Sequence, residues 1–129
     1  MALTEPKFKK TKARRDQYRL TLQAIRRAQR FIYIENQYLT SKAIIRALGQ
    51  RLKNSDGPEV ICVLPKKPFS WVDAKTMGVL QFRAIRKLRA HDFHGRLRVC
   101  YPRIFPGEVQ SVYVHAKLLI VDDESTRED

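Results

Sequence analysis

Short runs of β-branched and aromatic residues alternate along this chain with longer segments in which apolar positions recur at helical spacing. In residues 13–30, Tyr18, Leu22, Ile25 and Ala28 recur near every third or fourth position. Arg14, Arg15, Arg19, Arg26, Arg27 and Arg30 fall mostly on the other side, which predicts an amphipathic helix with a guanidinium face. Residues 31–34 read as a strand. Thr40 or Ser41 can cap a second helix reaching about Lys53, with Ile44, Ile45, Leu48 and Leu52 apolar. Residues 54–58 are a turn, and 60–64 form a second strand stopped by Pro65.

After a loop over 65–69, Ser70 and Asp73 resemble a capping box opening a long helix. Its expected core stripe is Trp71, Ala74, Val79, Phe82, Ile85 and Leu88. A third strand is predicted over 97–101, a loop over 102–110, and a last strand over 111–121. Strands alternating with helices predict an α/β domain whose mixed, partly parallel sheet is flanked by helices. Residues 1–12 read as a flexible basic arm and 13–123 as the folded body. Residues 124–129 form a polar tail with no apolar side chain to continue the sheet, and fraying is expected there.

The last predicted strand carries the chemistry. Residues 114–122 place His115, Lys117 and Asp122 in an otherwise apolar run. His115 and Lys117 are two apart, so on a strand they share a face. The surrounding residues suit a strand buried on both faces. A lysine there needs compensation for lost hydration, and an anionic group such as a phosphate supplies it.

The His-x-Lys-x4-Asp spacing resembles the signature of the phospholipase D superfamily. Residues 31–38, with Glu35, Asn36 and Gln37 at the strand end, resemble the strand that precedes the second such motif in phospholipases D. The separation of about eighty residues also fits. The resemblance spans residues 14–123 and implies one half of a phospholipase D catalytic domain, the C-terminal one. It implies that His115 is the nucleophile, forming a phosphohistidine, and that Lys117 holds the non-bridging oxygens. Asp122 would fix the tautomer of an imidazole or stabilise the imidazolium, and Glu35, Asn36 and Gln37 would line the substrate site. The reaction is phosphodiester hydrolysis or transphosphatidylation, with no metal and no cofactor.

The family pattern continues past the aspartate with a strand and a Gly-Ser or Gly-x-Asn segment. Here residues 123–129 are polar and lack glycine, so the Ser and Asn that contact phosphate have no counterparts. One motif is present where the full site uses two. A second motif-bearing half, or a homodimer partner, is therefore expected for activity. Two other readings stand beside this one: a single-motif nuclease of the same superfamily acting as a homodimer, and an inert remnant that binds anions.

Charge keeps these alternatives open. The net charge is +13, and ten Lys/Arg against two acids place +8 of it in residues 1–30. That favours an anionic partner: a phospholipid or other phosphodiester, an acidic membrane surface, or nucleic acid. A solvated basic helix would have the same composition. His91 and His94 lack a third ligand and are read as structural, with the helix C-terminus favouring their charged form. Trp71 reads as packing, and Lys66 and Lys67 as loop cations that either meet an anionic headgroup or are simply solvated. Cys62 and Cys100 lie in apolar stretches and read as buried free thiols. Neither a signal peptide nor a run of about 18 apolar residues is present. The expected location is cytoplasmic or peripheral on a membrane.

Overall fold

The short apolar runs become the strands of one sheet, and the amphipathic segments become helices laid against it. The computed structural model describes the backbone of residues 4–36, 39–65, 71–102, 117–122 and 124–127. Side chains are described for 15–36, 39–65, 78–102 and 117–122. In chain order the elements are α1 (Thr4–Arg27), β1 (Phe31–Glu35), α2 (Lys42–Lys53), β2 (Glu59–Val63), α3 (Trp71–His91), β3 (Leu97–Cys100), β4 (Leu118–Val121) and β5 (Glu124–Arg127). The strand order is β3-β2-β1-β4-β5. The first three strands are parallel, and β4 and β5 are antiparallel to their neighbours.

Two successive crossovers, through α2 and α3, step in one direction along the sheet. They therefore place both helices on the same face. The register makes this visible. Ile32 lies beside Val60 and Val121, and Ile34 beside Cys62 and Leu119. All six are buried, together with Ile25 of α1, Leu48 and Leu52 of α2 and Leu88 of α3. The opposite face, with Tyr33, Ile61 and Ile120, is only half-buried. β4 thus alternates in burial, rather than being buried on both faces, because the helices pack on one side.

Residues 31–34 and the described part of the motif strand, Leu118–Val121, lie in one sheet, with β1 and β4 as antiparallel neighbours. Residues 111–116 lie outside the described residues, as do Ser70 of the expected capping box, Lys66 and Lys67, and the side chain of Trp71. α2 begins as read, with the Ser41 hydroxyl accepting from the Ile44 amide at 3.4 Å.

Several expectations are corrected. The basic arm is not separate, because α1 starts at Thr4. Pro6 falls in the first turn, where its missing N–H is no loss, and the Lys-rich stretch after it favours helix. The polar tail does not simply fray, because Glu124–Arg127 pairs with β4. An edge strand needs a backbone partner and tolerates polar side chains. On α3 the inward residues are Gln81, Ala84 and Leu88, while Val79 and Phe82 are exposed. Cys100 is exposed, whereas burial pushes the Cys62 thiol up to about 12. His91 is not drawn to its charged form. Burial first, then Lys53 and Lys87, lower its pKa, and its ring sits against Gly49 of α2.

The turn after α2 is held by Arg96, whose guanidinium donates to the carbonyls of Leu52, Asn54 and Gly57. Asp92 in turn accepts from the amides of Arg96 at 2.7 Å and Leu97 at 3.1 Å. A Cβ on Gly57 would run into the Arg51 carbonyl and the Arg96 guanidinium. Backbone cannot rotate away as a side chain can. Gly57→Ala is expected to cost about 1–3 kcal/mol, read as a lower urea midpoint at unchanged slope. An unchanged midpoint would show that the turn has room.

Candidate functional site

β4 runs antiparallel to β1, so Leu118 lies beside Glu35. The residue entering β4, Lys117, therefore arrives where β1 ends in Glu35 and Asn36. Two segments more than eighty residues apart in sequence meet at one edge of the sheet. This is the edge where parallel strands of α/β folds commonly end in functional groups.

A small pocket of about 40 Å³ opens at this edge. Glu35, Asn36 and Lys117 line it, with Thr21 of α1 and Thr40 and Ser41 at the start of α2. Its floor is apolar, from Ile25, Ile34 and Leu119. Room for about one water is too little for a whole substrate, but enough to seat one oxygen of an anion at the mouth. Lys117 is exposed, so its ammonium can reach a ligand without a prior burial cost.

Electrostatics at this edge favour an anion. The first turn of α2 carries no acidic residue, and Lys42 opens it. The positive end of that helix thus meets no acidic side chain of its own first turn, and Ser41 and Ile44 there line the same pocket as Lys117. Glu35 supplies negative charge, but it is engaged. The Tyr33 hydroxyl donates to its Oε1. That bond, then burial, then the charges of Glu35 and Cys100 push the Tyr33 pKa up to about 12, so Tyr33 remains a donor at neutral pH. Asn36 continues β1 beyond its last residue, its amide donating to the Val63 carbonyl at 3.2 Å.

Asp122 is not part of this gathering. It follows β4 at the opposite edge of the sheet, about 16 Å along the chain from Lys117 at strand spacing. There its carboxylate accepts from three backbone amides. Gln29 donates to Oδ2 at 2.7 Å, and Arg30 and Phe31 donate to Oδ1 at 2.7 and 3.0 Å. The Asp122 amide returns a bond to the Phe31 carbonyl at 3.2 Å. Partial burial works against the charged carboxylate, but the three amides and the Arg30 charge outweigh it and hold its pKa below the usual range. The residue read as an imidazole partner thus joins the end of α1 to the starts of β1 and β5.

Glu35, Asn36 and Lys117 are therefore brought together, Asp122 stands apart, and His115 and Gln37 lie outside the described residues. Tyr33 and Thr21 were not singled out from sequence. Tyr33 could have been, since two residues separate it from Glu35 on one strand face. Thr21 belongs to α1, and only packing reveals its place beside β1 and β4.

No model of a known protein family matches the chain, and no curated protein is significantly similar to it. Among the described residues no group of three His, Cys, Asp or Glu side chains is placed to hold a metal ion. No helix among them is long and apolar enough to cross a membrane.

Proposed function

We propose that this chain is a phospholipase D-type half-site that acts on a phosphodiester. The observation that carries the reading is the convergence of Lys117 with Glu35 and Asn36 on one pocket, at the sheet edge that the start of α2 makes electropositive. A phosphodiester resists attack because its oxygens are negative, and a lysine at those oxygens offsets charge in the transition state. In this reading His115, two residues before Lys117, is the nucleophile. An imidazole of ordinary pKa has a neutral fraction near pH 7 that can attack phosphorus and displace the alcohol, leaving a phosphohistidine. Protonation of the departing oxygen falls to a second histidine from another half. Water or an alcohol then takes the phosphoryl group. Asp122 acts at a distance, by fixing β4 against β1 so that Lys117 is presented at the correct height.

The test supplies an upstream phospholipase D half in trans together with phosphatidylcholine labelled at phosphorus, and quenches the mixture in alkaline detergent. The expected result is a labelled protein, stable to base and labile to acid, that is absent in His115→Ala and strongly reduced in Lys117→Met. Label that persists in His115→Ala, or turnover unaffected by Lys117→Met, would refute the reading.

A further inference from the structure

The helical layer has an outer surface that the pocket does not use, and its composition is one-sided. Along α1, Arg15, Arg19 and Arg26 are exposed at positions four and eleven apart, which is one ridge of the helix. Along α2, Lys42, Arg46 and Lys53 are exposed on the same four- and eleven-residue spacing. Along α3, Arg83, Arg86 and Lys87 are exposed. Asp16 is the only carboxylate among the described side chains of the three helices. All three helices pack on one face of the sheet, with α2 between α1 and α3. The described, solvent-exposed positions of this helical layer are therefore predominantly cationic.

Apolar side chains stand within this surface. Phe82 is 65% exposed and Leu20 is 60% exposed. Val79, one turn before Phe82 on α3, is also exposed, as is Leu80 on another flank of that helix. Cations alone would suit any polyanion. Aliphatic side chains held out among them suit a partner that is anionic at its surface and apolar beneath, because each then gains on docking. A nucleic-acid backbone offers nothing to Leu20, Val79 or Leu80.

We infer that the outer surface of the helical layer docks on an anionic lipid membrane, with Phe82 and its apolar neighbours entering the acyl boundary and the arginines and lysines meeting the headgroups. The inference concerns a different surface from the pocket and does not depend on catalysis there.

The experiment is sedimentation of the full chain with vesicles of phosphatidylcholine alone, or of phosphatidylcholine with phosphatidylserine, at physiological salt. Binding is expected only with phosphatidylserine. Arg83→Glu with Arg86→Glu should weaken it by roughly tenfold or more, and Phe82→Ser by about tenfold. Far-ultraviolet circular dichroism checks that these surface variants fold. A second measurement needs no loss of function. With Trp71→Phe removing the one native tryptophan, Phe82→Trp should be quenched by brominated acyl chains in phosphatidylserine vesicles. Absence of that quenching would overturn the inference. So would binding to duplex DNA that matches vesicle binding and, like it, is indifferent to Phe82→Ser.

Discussion

Asp122→Ala is expected to destabilise the fold by about 3–4 kcal/mol, through three lost charge-assisted hydrogen bonds and a strained backbone. The carboxylate bonds the amides of Gln29, Arg30 and Phe31 at once. Those amides lie where α1 has ended and β1 has just begun, so no helix or sheet partner waits for all of them. Two of the three bonds are solvent-exposed, which keeps the total well below three full charged bonds. Asp122 also adopts φ 47°, a left-handed conformation that Asp tolerates and Ala resists. Asp122→Gly should therefore be less damaging than Asp122→Ala by about 1 kcal/mol, although both lose the acceptor.

The pH dependence separates the carboxylate from the turn. The Asp122 pKa is lowered in the folded state, so below its ordinary value of about 4 the unfolded chain binds more protons than the folded one. Its contribution is complete above that value and is lost as pH falls through the lower, folded pKa. Urea denaturation from pH 7 to pH 2 should show wild type and Asp122→Asn converging toward the acid end. A difference that is flat with pH would show that the carboxylate charge is not what holds the junction.

The sheet was legible because each central strand is a compact apolar run between a turn signal and a helix. Turn residues 54–58 and the Ser41 cap act locally, and local rules reach them. β5 was not legible, since its stability comes from backbone pairing with β4, to which Glu124–Arg127 contributes no apolar pattern. The start of α1 was not legible, because residues 4–12 carry dense positive charge and almost no apolar stripe to mark a helix. On α3, Phe82 and Val79 fit a helical period as well as Gln81 and Ala84 do, and periodicity alone does not say which ridge faces the sheet. The candidate site divides in the same way. Spacing places Lys117 at a strand entry, and only the antiparallel register shows that it meets Glu35 and Asn36. The same register sends Asp122 to the opposite end of the strands, where it bonds the amides of Gln29, Arg30 and Phe31.

The isolated chain is expected to turn over phosphodiesters at least 10²-fold more slowly than the chain supplied with a second motif-bearing half, since general acid assistance is worth roughly 10²–10⁴-fold. The chain has three histidines. His91 closes α3 against Gly49, and the His94 ring lies 3.3 Å from the Lys53 carbonyl at the end of α2. Both stand where β3 begins, at the edge of the sheet away from Lys117. Neither is placed to protonate an alcohol leaving from a phosphate held at Lys117, so in the half-site reading that histidine comes from another half of the protein or from another subunit. The measurement is phosphatidylcholine hydrolysis across a range of chain concentrations, alone and with the added half, beside His115→Ala. A rate that climbs with the square of chain concentration would assign the missing histidine to a second copy. A concentration-independent rate per chain in the range of about 1–10³ s⁻¹, abolished by His115→Ala, would show that one chain holds a complete site and would defeat the half-site reading.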